Sequence, residues 1–142
     1  MDIQSRAIEF ASPVDVGALA RRGTVALVLA WMVNVAIVFG AEFAEIAPLL
    51  EPLSVGPVLV VTTLGVVGAT VVYGLLSRSR EDPDRLFTGV AAVVLVLSLI
   101  PDVTYAPNLA DATTAGVALL AVMHVTTAVV CVAVLTDRMP WP

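Results

Sequence analysis

Residues 113–135 read TTAGVALLAVMHVTTAVVCVAVL, twenty-three positions without an Asp, Glu, Lys or Arg. About 20 apolar residues let a helix cross the roughly 30 Å hydrocarbon core of a bilayer. This stretch reaches that length outright, so its natural solvent is lipid. Working outward, three more uncharged stretches precede it: 24–41, 55–76 and 86–100. The second is long enough as it stands. The third lengthens at its start, where Asp82-Pro83 places a capping residue before a first-turn proline. The predicted span is then 83–100, with Pro101 ending or kinking it. Ahead of the first span, Ser12-Pro13-Val14-Asp15 resembles a capping box. It predicts a helix that starts at Pro13 and either runs on into the membrane or breaks near Gly23.

Composition agrees with four spans. Of 142 residues, 59% are hydrophobic and 13% charged, against about 25% charged in a soluble domain. The length suits one domain. All seven basic residues are Arg, and the net charge is -5. Nucleic-acid binding is excluded as a partner class, because no basic patch exists to neutralise phosphates. An acidic, Lys-free, Val- and Ala-rich chain points to a GC-rich genome, as in a salt-loving archaeon. The single thiol, Cys131, can form neither an internal disulfide nor a metal site of its own, and reads as a small buried hydrophobe.

The arginines set the orientation. Arg21 and Arg22 precede the first span, Arg78, Arg80 and Arg85 separate the second from the third, and Arg138 follows the fourth. The connections 42–54 and 102–112 hold no basic residue. The positive-inside rule makes the arginine side cytoplasmic, with both termini on it. The expected fold is an all-α, four-helix antiparallel transmembrane bundle in the cell membrane. It divides into an N-terminal interfacial segment (1–20), the membrane domain (21–138) and a short tail (139–142). Ile3, Ala7 and Phe10 fall near helical spacing and suit an amphipathic segment on the inner membrane surface. Arg21-Arg22 before an apolar run also mimics a twin-arginine export signal, but the block is long for one and three spans follow. The exterior acids Glu42, Glu45, Glu51, Asp102 and Asp111 read as a solvated surface, or less readily as a cation-binding rim. Tyr73, Phe87 and Trp141 fall near the inner boundary, and Phe39, Phe43 and Tyr105 near the outer one. Trp31 lies deeper and is expected to pack on a neighbouring helix.

With no charge inside the four uncharged stretches, any chemistry there rests on Asn34, His124 and hydroxyls. Asn34 and His124 both fall roughly 15–17 Å from the inner ends of their helices at 1.5 Å per residue. Polar groups facing lipid are costly and should turn inward and meet. A cluster of Asn34, Thr63, Ser98, His124 and Thr127 is therefore predicted, with a hydrogen bond between His124 and Asn34, direct or through water. Small residues on the second span (Gly65, Gly68, Ala69 and Gly74) and on the fourth (Ala121 and Ala128) offer close helix packing between these two. His124 reads as packing glue, as a group that binds a small ligand or moves a proton, or as a haem ligand completed by a dimer or by a different second ligand. The spans hold no set of metal ligands, no cofactor motif and no catalytic motif: no phosphate loop, no paired carboxylates, no nucleophile beside a base.

Several segments together carry a resemblance. Pro52-Leu53-Ser54-Val55-Gly56-Pro57 begins the second span and Val72-Tyr73-Gly74-Leu75-Leu76 ends it. Pro83-Asp84-Arg85-Leu86-Phe87 opens the third and Leu97-Ser98-Leu99-Ile100-Pro101 closes it. Ala112 to Gly116 leads to the Met123-His124 pair. From about Arg21 to Arg138 the chain resembles a family of small four-span membrane proteins of actinobacteria and haloarchaea, classed as a domain of unknown function. The resemblance implies four spans, draws attention to His124, Ser98 and Pro101, and implies no activity.

The functional expectation is a non-enzymatic membrane protein, a scaffold or a subunit of a larger assembly, with lipid and a second copy or another membrane protein as partners. The rival is a carrier or binder of a small apolar ligand (lipid, quinone or carotenoid) at the midplane polar site. A dry, filled core would favour the first, and a pocket open to lipid the second.

Overall fold

A computed structural model of the protein describes residues 15–46 and 50–136. Four helices run in sequence: α1 (Val16–Phe43), α2 (Val55–Ser79), α3 (Pro83–Thr104) and α4 (Thr114–Leu135). All four are long and apolar enough to cross a membrane. Short 3-10 turns, Glu51–Leu53 and Ala106–Asn108, lie in the α1–α2 and α3–α4 connections.

The caps explain where the helices start. Asp15 accepts from the backbone N–H groups of Gly17 and Ala18, so it is the cap of α1. Ser12, Pro13 and Val14, and the amphipathic positions Ile3, Ala7 and Phe10, lie outside the described residues. Asp82 accepts from the Arg85 N–H at 3.1 Å, and Pro83 follows in the first turn, as the sequence predicts. Thr113 caps α4 through the Gly116 N–H at 3.0 Å.

At Gly23 and at Pro101, where the sequence left the helix free to continue or not, it continues. Helix α1 runs straight through Gly23, which is buried where α1 meets Thr70 of α2. A glycine there permits close approach and need not unwind the chain. Helix α3 continues past Ile100, through Pro101, to Thr104. Pro101 lacks an N–H, so the Leu97 carbonyl loses its helical donor, but the following turn still closes with Tyr105 N–H to Pro101 O at 2.9 Å. The span is longer than 83–100 for that reason. Helix α1 ends in a Schellman motif: Ile46 N–H bonds Ala41 O and Glu45 N–H bonds Glu42 O. Glu45 takes the left-handed position, φ 54°, where glycine is usual.

Helix α1 packs most extensively on α2 and α4, while α3 leans on α4 and only lightly on α2. One core, with Val38, Leu53, Val58, Leu120 and Met123, fills the end of the bundle where α1 finishes. A second, with Ala26, Val66, Phe87, Val134 and Leu135, fills the end where α1 begins. At that same end the Arg22 guanidinium donates to the Leu135 carbonyl at 3.2 Å, joining the start of α1 to the end of α4. Trp31 donates to Thr63 Oγ1 of α2 at 3.1 Å, the interhelical contact expected of it. Tyr73 meets Phe87 edge-on, 5.3 Å between ring centres, and donates to Asp84 at 2.8 Å.

The predicted small-residue seam between α2 and α4 forms only in part. A Cβ on Gly65 would lie 3.9 Å from Thr127 of α4, but Gly74 abuts Leu19 of α1 and Gly68 faces open space. Ala121 is half-buried on α4. Ala69 and Ala128 border a groove described below.

Candidate ligand groove

Two groups of polar residues in the spans bear on the site. The first is a closed knot. Asn34 of α1, 2% exposed, donates through Nδ2 to Thr62 Oγ1 and to Thr127 Oγ1, both at 2.9 Å. Its Oδ1 lies 3.0 Å from the Thr126 hydroxyl, which can also donate to the Met123 carbonyl. Both donors and the acceptor of one amide are thus used, and three helices are tied together at one point.

The second group was not expected. Asp102, read from the sequence as a solvated exterior acid, lies inside α3 and is buried at 6% exposure. The spans therefore do contain an ionisable acid. Its Oδ2 lies 3.0 Å from His124 Nδ1 of α4. The same nitrogen is 2.9 Å from the Leu120 carbonyl, which can only accept, so Nδ1 carries a hydrogen. That hydrogen is directed at Leu120. Oδ2 has ion-pair proximity to the ring but no hydrogen bond among the described residues.

No direct His124–Asn34 hydrogen bond forms, and the physical cause is direction. Side chains lean toward the N-terminus of their own helix. Helices α1 and α4 are antiparallel, so Asn34 leans one way along the bundle and His124 the other. Asn34 reaches Thr126 and Thr127, and His124 rises to the level of Leu120 and meets Asp102.

Of the other predicted members, Thr127 belongs to the Asn34 knot. Thr63 stands apart: it accepts from Trp31 and donates to the Leu59 carbonyl at 2.7 Å. Ser98 donates to the Leu95 carbonyl of its own helix at 2.7 Å. A sequence signal for Asp102 did exist. Ser98 and Asp102 are four apart, one helical face, but reading Pro101 as a terminator placed the acid in a loop.

Both polar groups border one groove of about 720 Å³. Helix α4 forms its floor with His124, Thr127 and Ala128, and α2 and α3 form its walls. The groove exists because α2 and α3 meet only lightly and because Gly65, Gly68, Ala69 and Ala91 leave its sides low. Exposed Val61, Leu64 and Val94 stand among its lining residues, so it opens on the outer surface of the bundle. The surface is almost wholly hydrocarbon, with the Asp102–His124 pair and Ser98 toward one end of α3 and Phe87 toward the other. Glu42, Glu45, Glu51 and Asp111 are exposed, apart from it.

No curated protein and no solved structure matches the chain. Residues 14–140 match a family described as "Family of unknown function (DUF6069)", and the chain belongs to that family.

Proposed function

We propose that this family member is a non-enzymatic multi-pass protein of the cell membrane that holds a small apolar molecule in the groove between α2 and α3. The observation that carries this reading is a groove of about 720 Å³, open on the apolar outer surface of the bundle, with polar side chains confined to a few points. Ligand sites generally fall at about 300–1,000 Å³, with apolar walls and a small number of placed polar groups. Gly68 meets nothing within 4 Å, which keeps that side of the groove open to a ligand. The orientation we infer follows from charge: Arg21, Arg22, Arg78, Arg80 and Arg85 fall at the end where α1 begins and α4 finishes, and the positive-inside rule assigns that end to the cytoplasm.

Purification in a mild detergent followed by native mass spectrometry tests the reading. One small apolar molecule per chain is expected, lost in Gly68→Leu, a substitution that fills open space. A chain free of small molecules, but bound in fixed ratio to a second copy or to another membrane protein, would return the scaffold reading to first place.

A further inference from the structure

Among the polar groups bordering the groove, those of the Asn34 knot are satisfied by one another. Asp102 is the exception. Its carboxylate is buried inside α3, lines the groove, and has an oxygen with no hydrogen bond among the described residues. Buried acceptors of this kind in a membrane are costly and mark sites where a partner is supplied from outside the helix bundle. His124 offers proximity at 3.0 Å, but its N–H is aimed at Leu120.

We propose that the groove selects molecules whose apolar body ends in a hydrogen-bond donor, a hydroxyl or an ammonium, seated against the Asp102 carboxylate. This rests on the ligand-binding reading above and names the chemistry of its ligand. The two carboxylate oxygens exchange by rotation about Cβ–Cγ, so a donor arriving along the groove takes one while the imidazole stays beside the other. A donor head gives the buried carboxylate a hydrogen bond and so offsets part of the cost of burying it. An ester, ketone or ether head would set lone pair against lone pair, and an acid head would add like charge in a low-dielectric site. The body lies along the α2–α3 cleft toward Phe87. Asp102 and Phe87 are fifteen residues apart on α3, about 22 Å at 1.5 Å per residue, which accommodates a long hydrocarbon chain. The head sits at the exterior end and the tail points toward the cytoplasmic end.

The test uses the full chain in detergent and four probes with one hydrocarbon chain and different heads: oleyl alcohol, oleylamine, methyl oleate and oleic acid. Binding is titrated by native mass spectrometry. The alcohol and the amine should bind on the order of tenfold more tightly than the ester and the acid, the scale of one buried acceptor satisfied or left bare. Asp102→Leu should erase the difference, and Asp102→Asn, which keeps the shape, should remove any preference for amine over alcohol. Whichever of these two binds more tightly to the wild-type chain identifies the class of natural head. Equal binding of all four, still blocked by Gly68→Leu, would overturn the donor rule and leave the groove as a ligand site. Tightest binding of the ester would also overturn the donor rule. Binding of none would overturn both.

Discussion

Asn34 and His124 show how one side chain's direction decides its role. Their Cα atoms fall at similar depth on antiparallel helices, yet the amide enters a satisfied knot and the imidazole enters an unsatisfied pair. The difference can be measured. His124→Leu leaves the Asp102 carboxylate buried without its neighbour, and we expect a loss of about 3 kcal/mol. Replacing both residues by leucine removes the stranded group as well, so the double variant should recover at least half of that loss. Thermal unfolding in detergent gives the cycle, and strict additivity would show that the two groups do not interact. Asn34→Ala should cost about 2 kcal/mol by the same measurement, since interhelical hydrogen bonds in membranes average about 0.6 kcal/mol each and a buried volume is also lost. A variant as stable as the wild type would mean that the threonines satisfy themselves through their own helix carbonyls.

Within the elements, glycine positions differ by what stands opposite them. A Cβ on Gly23 would lie 2.8 Å from both Cγ2 and Oγ1 of Thr70, whose hydroxyl is held by the Val66 carbonyl at 2.8 Å. A β-branched, hydrogen-bonded side chain has little room to turn, so Gly23→Ala should cost about 1–3 kcal/mol. At Gly74 the obstacle is Leu19 Cδ2, 2.6 Å away at the end of a flexible chain, and Gly74→Ala should cost less. Gly68→Ala meets nothing and should be neutral or slightly stabilising. Melting temperatures ranked Gly68→Ala, Gly74→Ala, Gly23→Ala from highest to lowest would bear out this packing, and any other order would mean that α1 and α2 approach elsewhere. The cap of α1 gives a gain in the opposite direction. Glu45 holds a left-handed φ of 54° at an exposed position. Glu45→Gly should stabilise by about 1 kcal/mol, and a loss would show that the glutamate side chain contributes more than its backbone costs.

For the whole molecule, the arginine distribution predicts which end labels from which side. A cysteine at exposed Asp111 should react with an impermeant maleimide in intact cells, and one at exposed Ser79 only after lysis. Cys131 is buried and should stay silent in both. Reaction at both introduced sites in intact cells would refute the orientation. The sequence by itself determined the four spans, the Asp82 cap and the Trp31 contact with a neighbour, because apolar length, caps and depth are sums over adjacent residues. It also brought Asn34, Thr127, Ser98 and His124 to notice. The tertiary structure alone decided that Asp102 is buried beside His124, that His124 turns away from Asn34, and that α2 and α3 stand apart over α4. Those outcomes depend on the relative direction and rotation of helices distant in the chain, which no local pattern records.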